Sequence, residues 1–216
     1  MREQVLKAIE KEKLIVIVRG VSSEDIIPLA NALYNGGVRL MEITYDATGN
    51  VLDEETAKTL KKLKDHLGDK MFIGAGTVLT EKQVELTKKA GGEFIISPDA
   101  YSEVIKKTRE LDMVSIPGAI TPTEVQSAYR SGADFVKLFP ITNLGIDYFK
   151  NIKAPLSHIK YLAVGGITES NIGEYLNAGV SGFGIGGNIV NKQFIKSGNF
   201  EKITEIAKKY CDLIIG

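Results

Sequence analysis

The stretch SGADFVKLF, residues 131–139, contains the pattern that decides the fold. It places a glycine where a helix is predicted to end, then a short link, and then a strand. Three other stretches repeat this order, and they are NGGVRLMEI at 35–43, AGGEFIISP at 90–98 and NAGVSGFGI at 177–185. This faint internal repeat predicts that the four stretches lead into the second, fourth, sixth and eighth strands of one sheet.

The remaining apolar runs complete an alternation of strands and helices. Eight strands are predicted, at residues 14–19, 39–44, 72–77, 94–98, 113–118, 135–140, 161–166 and 182–187. Eight helices accompany them, and the patterns at Thr80–Gln83 and Thr121–Glu124 predict capping boxes at two of their starts. Short links between such units require parallel strands with helices outside. We therefore predict a (β/α)8 barrel with a short N-terminal helix, and the alternative is an open doubly wound sheet.

Length and charge narrow the classes of protein that are possible. The chain has 216 residues, 44% of them hydrophobic, with 27 basic and 27 acidic side chains. One domain over residues 1–216 is expected, and the balanced charge predicts neither a nucleic-acid partner nor an anionic membrane. Residues 1–20 match neither a signal peptide nor a membrane span, so a cytoplasmic setting is expected.

Lys137 is the first candidate for chemistry. Side chains alternate along a strand, so Phe135, Lys137 and Phe139 share one face, with the ammonium group predicted to lie between two aromatic rings. Apolar surroundings lower the pKa of a lysine and make the neutral, nucleophilic amine available. A lysine that forms a Schiff base needs such a lowered pKa, because the neutral amine is the nucleophile. The alternative is a strand-end lysine whose head group reaches water and has no chemical role.

Glu42 is the second candidate. In a barrel the chemistry belongs at the C-terminal ends of the strands, where Glu42 and Thr44 share a face of the second strand. A buried carboxylate needs a partner, and Lys137 across the barrel would be one. We expect Glu42 to be a general acid/base and Thr44 to contact substrate. The alternative is a structural Glu42–Lys137 ion pair without chemistry.

Two glycine pairs predict a phosphate site. Gly165-Gly166 ends the seventh strand, and Gly186-Gly187, followed by Asn188, ends the eighth. Such glycines let backbone N–H groups approach an anion, and a following helix N-terminus adds partial positive charge. The alternative is that the glycines serve only tight turns. No metal-ligand spacing and no dinucleotide-type glycine loop is present, so no metal and no cofactor are expected.

Seven short motifs together resemble one enzyme family. They are EIT at 42–44, GAGTVLT at 74–80, ISP at 96–98, IPGAITPTE at 116–124, VKLFP at 136–140, AVGGI at 163–167 and GIGGN at 184–188. Their order and spacing resemble the 2-keto-3-deoxy-6-phosphogluconate (KDPG) and 4-hydroxy-2-oxoglutarate (KHG) aldolases. The resemblance implies a (β/α)8 fold, a homotrimer, and cleavage of a 2-keto-4-hydroxy acid to pyruvate and an aldehyde through a lysine Schiff base.

The resemblance also implies roles for single residues. Lys137 would form the imine and Glu42 would be the acid/base. Thr77 would contact the pyruvate carboxylate, while Pro98 and Phe139 would wall the pyruvate pocket. The two glycine pairs would hold the substrate phosphate, and no metal or organic cofactor would be required.

The chain departs from the family pattern at two positions. Many members carry an arginine that clamps the substrate carboxylate where this chain has Asp46, and many carry a serine where it has Asn188. Arg19 closes the first strand on the face that enters the mouth, so we expect it to replace the missing clamp. The alternative is a structural pairing of Arg19 with Glu42 or Asp46. For the whole protein, the alternatives are a sugar-phosphate isomerase or epimerase barrel and a non-catalytic barrel that binds a phosphorylated ligand.

Overall fold

The structure is a computed structural model that describes residues 1–216. In chain order its elements are α1 (Arg2–Glu12), β1 (Leu14–Val18), α2 (Ile26–Asn35), β2 (Leu40–Thr44), α3 (Asp53–Leu67), β3 (Phe72–Gly76), α4 (Glu81–Lys89), β4 (Phe94–Ile96), α5 (Ser102–Glu110), β5 (Val114–Ile116), β6 (Gly118–Ala119), α6 (Pro122–Arg130), β7 (Val136–Leu138), α7 (Gly145–Lys153), β8 (Tyr161–Val164), α8 (Ile172–Asn177), β9 (Gly182–Ile185), α9 (Lys192–Lys196) and α10 (Phe200–Ile215). The predicted N-terminal helix is α1.

The strands form a nearly closed parallel barrel. Their order in the sheet is β5-β4-β3-β2-β1-β9-β8-β7-β6, and every pairing is parallel. The two ends of this order are halves of one predicted strand, interrupted at Pro117, which has no N–H to donate. The Ile116 carbonyl accepts from Ser97 N at 3.2 Å and the Pro117 carbonyl accepts from Lys137 N at 2.9 Å, so this segment joins both neighbours. The prediction of a (β/α)8 barrel is confirmed, and the open-sheet alternative is wrong.

Two apolar layers surround the strands. The inner cluster contains strand side chains that face the barrel interior, Ile15, Leu40, Phe94, Val114, Phe135 and Leu162, together with Val5 and Ile9 of α1. A larger outer cluster fills the space between the strands and the surrounding helices. Because α1 packs into the end of the barrel at which the strands begin, polar side chains gather at the opposite end, the mouth.

Local sequence signals act as predicted at α6 and only in part at α4. At α6, Thr121 Oγ1 accepts from Glu124 N at 3.3 Å and Glu124 Oε2 accepts from Thr121 N at 2.8 Å, which completes the capping box. At α4, Thr80 accepts from Gln83 N, but Gln83 Oε1 accepts from Leu79 N. Short helix α9 was not predicted. No helix combines the length and the apolar content that crossing a membrane requires.

Candidate active site

Lys137 lies in the middle of β7 with its side chain directed into the barrel mouth. It is 8% exposed, and its Nζ lies 4.8 Å from the centroid of the Phe139 ring. Burial lowers the pKa of Lys137, the carboxylate of Glu42 opposes this by raising it, and the charge of Arg19 lowers it further. Each effect that lowers the pKa enlarges the fraction of neutral amine. We expected the Lys137 ammonium group to lie between two aromatic rings. Its Nζ contacts the ring of Phe139, whereas Phe135 belongs to the inner apolar cluster.

Glu42 lies in β2 and is the most buried charged side chain at the mouth. It is 2% exposed, and its Oε2 is buried without a hydrogen-bond partner. Burial raises the pKa of Glu42 to about 7, although Lys137 and Arg19 act to lower it. A carboxyl group with a pKa near neutrality can both hold and accept a proton at physiological pH. Glu42 and Lys137 influence each other's pKa without forming a hydrogen bond or a salt bridge, so the structural ion pair is not observed.

Arg19 follows β1 and reaches Thr77 at the end of β3. Arg19 Nη2 donates to Thr77 Oγ1 at 3.0 Å. Thr77 holds a left-handed backbone conformation, with φ at 55°, which is uncommon for a β-branched residue. The pairings of Arg19 with Glu42 or Asp46, which a purely structural role predicted, are not observed. Arg19 nevertheless lies near enough to Glu42 and Lys137 to affect the pKa of both.

Asp46, at the position where the resemblance led us to expect an arginine, is bound to its own loop. Its carboxylate accepts from Thr48 N at 3.1 Å, from Thr48 Oγ1 at 2.7 Å and from Val51 N at 2.9 Å. These hydrogen bonds lower the pKa of Asp46 and fix the loop between β2 and α3.

Thr44, at 9% exposure, has a hydroxyl without a hydrogen-bond partner in the protein. A cavity of about 590 Å³ opens beside it, between the loops that follow β1 and β2, and Arg19, Thr44 and Asp46 contribute to its wall.

Phe139 and Pro98 lie on either side of the lysine strand. Phe139, 40% exposed, stands between Lys137 and the loop after β8, since a β-carbon built at Gly165 would lie 3.1 Å from its ring. On the other side, Gly118 pairs with Lys137 in the register of β6 and β7. A β-carbon at Gly118 would lie 2.3 Å from the Pro98 carbonyl oxygen, so the backbone of Pro98 packs closely against β6, next to the lysine strand.

The two glycine pairs lie next to each other at the mouth. Gly165 and Gly166 have φ values of 92° and 78°, a conformation that favours glycine. Gly186 and Gly187 have no such requirement, and a β-carbon at Gly187 would meet no atom within 4 Å. Asn188 Nδ2 donates to the Ile167 carbonyl at 2.7 Å and joins the two loops.

The loops expose a set of unused donors. None of the following backbone N–H groups donates a hydrogen bond within the protein: Gly165, Gly166, Ile167, Gly186, Gly187 and Asn188. Helix α9 begins only at Lys192 and has 5 residues, so its N-terminus adds less than the sequence predicted. The loop amides themselves are the donors that an anion would meet.

Sequence reasoning missed two polar residues that contact this region. Thr142 Oγ1 donates to the Gly165 carbonyl at 2.9 Å, and Asn171 Nδ2 donates to the Gly166 carbonyl at 3.0 Å. Each is a single polar residue outside any periodic pattern. The pairing of β7 with β8 brings Thr142 to the loop, whereas Asn171 lies in the loop itself. The structure contains no group of three or more His, Cys, Asp or Glu side chains arranged to hold a metal ion.

Comparison with known proteins identifies the family. Residues 5–206 match the model of the aldolase family described as KDPG and KHG aldolase. The 2-dehydro-3-deoxy-6-phosphogalactonate aldolase of Escherichia coli is 34% identical over 83% of this chain and 85% of its own length.

Solved structures agree in fold over nearly the whole chain. KDPG aldolase from Legionella pneumophila, with pyruvate captured as a covalent carbinolamine intermediate, has a TM-score of 0.84 and 30% identity over 94% of this chain and 96% of its own. A protein cage designed by fusing symmetric oligomeric domains has a TM-score of 0.82 and 32% identity over 94% of this chain and 73% of its own. The chain therefore belongs to the KDPG and KHG aldolase family.

Proposed function

We propose that the protein cleaves a 2-keto-3-deoxy-6-phospho sugar acid reversibly to pyruvate and glyceraldehyde 3-phosphate, through a Schiff base on Lys137. Membership of an aldolase family makes it a lyase and replaces the isomerase, epimerase and binding-only alternatives. One observation carries the assignment of the residues. Two oppositely charged groups, Lys137 and Glu42, are buried together at the mouth, and their pKa values are shifted towards neutrality without their forming an ion pair.

Lys137 begins the reaction as the neutral amine. It attacks the C2 carbonyl of the keto acid, and loss of water from the resulting carbinolamine gives a protonated imine. Glu42, as the carboxylate, removes the proton of the C4 hydroxyl while the C3–C4 bond breaks and its electron pair moves towards the imine. The aldehyde leaves, the enamine is protonated at C3, and hydrolysis of the imine returns pyruvate and Lys137. No external oxidant, reductant or metal is needed to balance these steps.

The substrate carboxylate is proposed to bind between Arg19, Thr77 and Thr44. Arg19 has one hydrogen bond, to Thr77, which leaves most of its five N–H donors for a ligand. A guanidinium can engage a carboxylate with two parallel hydrogen bonds. Asp46 cannot serve here, because its carboxylate is negative and is bound to Thr48 and Val51. Phe139 and Pro98 are proposed to wall the pyruvate group, where the ring of Phe139 already contacts the Lys137 ammonium.

The C6 phosphate is proposed to bind at the two glycine loops. Gly165, Gly166, Gly186, Gly187 and Asn188 supply backbone N–H groups that have no partner in the protein. Burying or crowding such donors without an acceptor is unfavourable, and a phosphate oxygen is a strong acceptor for them. The second N–H of the Asn188 amide, whose first is used by Ile167, can add to this set. These donors favour phosphorylated substrates over 4-hydroxy-2-oxoglutarate, which is the proposed secondary substrate and would give glyoxylate.

The proposed assembly is a homotrimer formed from one-domain subunits that span residues 1–216. One structural relative comes from a cage built of symmetric oligomeric domains, which supports an oligomer. Apolar side chains exposed near the mouth also support one, and they include Leu52 at 66% and Leu144 at 45% exposure. We further propose a cytoplasmic enzyme that acts without a nucleic-acid or membrane partner, since its basic and acidic side chains balance at 27 each.

Initial rates of pyruvate release test the substrate assignment. The gluconate and galactonate epimers of the 6-phosphorylated acid would be compared with 4-hydroxy-2-oxoglutarate, with lactate dehydrogenase reporting pyruvate. We expect a higher kcat/KM for a phosphorylated acid and competitive inhibition of that reaction by inorganic phosphate. Equal efficiency on substrates with and without phosphate would contradict the phosphate site and make 4-hydroxy-2-oxoglutarate the substrate of choice.

A further inference from the structure

Three consecutive carbonyl groups in the loop after β8 each accept a hydrogen bond from a side chain, and two of these side chains belong to other loops. The Gly165 carbonyl accepts from Thr142 Oγ1 at 2.9 Å, and the Gly166 carbonyl accepts from Asn171 Nδ2 at 3.0 Å. The Ile167 carbonyl accepts from Asn188 Nδ2 at 2.7 Å. Thr142 lies in the loop after β7 and Asn188 in the loop after β9, whereas Asn171 belongs to the loop after β8 itself, just before α8. Side chains therefore bond the carbonyls of Gly165, Gly166 and Ile167, and the Thr142 N–H is a second, longer donor to the Gly165 carbonyl at 3.4 Å.

A hydrogen bond that fixes the direction of a carbonyl group also fixes the direction of the N–H group in the same peptide. In a planar trans peptide the C=O and the next N–H point in opposite directions. The hydrogen bond from Thr142 to the Gly165 carbonyl therefore turns the Gly166 N–H away from Thr142, and the bond from Asn171 to the Gly166 carbonyl does the same for the Ile167 N–H. These are two of the N–H groups that have no acceptor in the protein. Preorganised donors bind an anion more tightly because they lose little freedom on binding.

Thr142 has the closest contact with the loop. A β-carbon at Gly166 would lie 1.9 Å from Thr142 Oγ1, so only glycine lets the hydroxyl approach this far. Thr142 is also five residues beyond Lys137 on the same chain segment, and Phe139 between them packs on Gly165. The segment that carries the Schiff-base lysine is thus directly bonded to the loop that carries the free amides.

We propose that Thr142 is a specificity-determining positioning residue, which with Asn171 aims the Gly166 and Ile167 amides at the substrate phosphate. Thr142 touches neither the reacting carbons nor the phosphate. It fixes the distance between the imine and the anion site, and so favours 2-keto acids with a terminal phosphate over those without one. This inference rests on the proposed function, because it assumes that the phosphate binds at the glycine loops.

The test compares Thr142→Val, which keeps the shape and removes the donor, with Thr142→Ser, which keeps the donor. For Thr142→Val we expect KM for the phosphorylated acid, and the inhibition constant of inorganic phosphate, to rise about tenfold, which is about 1.4 kcal/mol. The kcat/KM for 4-hydroxy-2-oxoglutarate should stay within about twofold of wild type, since a weak substrate without phosphate does not use these amides. Thr142→Ser should restore most of the phosphate affinity. Thr123→Val, at an exposed threonine of α6, is the matched control.

Two outcomes would overturn the inference. One is an equal loss on both substrates in Thr142→Val, which would show a general structural role. The other is unchanged affinity for phosphate. Trapping of pyruvate on Lys137 tests the proposed function independently of the role of Thr142, because pyruvate has no phosphate and does not use the glycine loops. A wild-type adduct with an unaffected Thr142→Val variant would reject the positioning role alone. Binding of inorganic phosphate, measured directly by calorimetry, gives the same decision if turnover is too slow to measure.

Discussion

The carboxylate of Glu42 lies directly over the α-carbon of Gly76 on the neighbouring strand. A β-carbon built at Gly76 would stand 2.4 Å from Glu42 Oε1. That distance is far shorter than a van der Waals contact between a carbon and an oxygen atom, so the position of the Glu42 carboxylate depends on glycine at residue 76. In the register of β2 and β3, Gly76 pairs with Thr44, the next residue of β2 on the inner face after Glu42.

Gly76→Ala should therefore reduce catalysis more than stability. The obstructing atom is the tip of a flexible side chain, so Glu42 can move aside while the barrel stays folded. We expect kcat to fall at least tenfold with little change in the thermal unfolding midpoint. Gly74→Ala is the contrasting variant, because its β-carbon would lie 2.3 Å from the buried Phe94 ring and should lower the unfolding midpoint. A Gly76→Ala enzyme with wild-type kcat would show that Glu42 need not occupy this position.

Glu42→Gln should retain the fold and lose most of its activity. The two side chains are nearly isosteric, and removing a positioned acid/base typically lowers turnover by about 10²–10⁴-fold. Steady-state kinetics and an unfolding curve on the same preparation measure both effects. Normal turnover with lowered stability would instead indicate a structural role for the buried carboxylate.

The stability of the protein should depend on pH through Glu42. Burial raises its pKa from 4.5 to about 7 in the folded state, so folding favours the protonated form. The contribution of Glu42 to the free energy of unfolding should be greatest below pH 4.5 and fall as the pH rises to about 7, where the folded carboxyl ionises. The full difference is about 3 kcal/mol, from 1.36 kcal/mol for each pKa unit.

Urea denaturation at a series of pH values measures this dependence. Glu42→Gln cannot ionise, so its free energy of unfolding should gain on that of the wild type between pH 4.5 and 7. If the two proteins keep a constant difference over this range, the raised pKa of Glu42 is wrong.

The sequence predicted the barrel because its signals are local and repeated. Each glycine-terminated helix and apolar strand, as in residues 131–139, can be recognised without knowing what packs on it. The inward direction of Glu42 and Lys137 followed from strand alternation combined with the predicted barrel, in which a buried carboxylate and a lysine can face each other. The function of Asp46 could not be predicted, because it depends on hydrogen bonds to Thr48 and Val51 within one irregular loop.

Contacts between distant segments could not be predicted from the sequence for a related reason. Thr142 meets the glycine loop only after β7 and β8 pair, and nothing in its position along the sequence indicates this. Gly76 looked like part of a motif, whereas its physical requirement is the space that Glu42 occupies. Strand five was predicted as continuous, and its interruption follows from the missing N–H of Pro117.

Arg19→Lys should weaken binding of the keto acid while leaving the charge in place. Lysine cannot reproduce the two parallel hydrogen bonds of a guanidinium, so we expect a several-fold or larger rise in KM with a smaller change in kcat. Arg130→Lys, at an exposed arginine of α6, is the matched control. Unchanged kinetics in Arg19→Lys would assign the carboxylate to another group, and Thr77→Val would then be the next variant to measure.

The most direct measurement is reduction with borohydride in the presence of pyruvate, followed by mass determination of the peptide that contains Lys137. Reduction of the imine converts it to a stable secondary amine, so a pyruvate-derived mass should be found on Lys137 of the wild-type enzyme. Glu42→Gln should still be labelled, because imine formation precedes the step assigned to Glu42, and Lys137→Met should not. An unmodified Lys137, under conditions that label a known imine-forming aldolase, would contradict the Schiff-base mechanism.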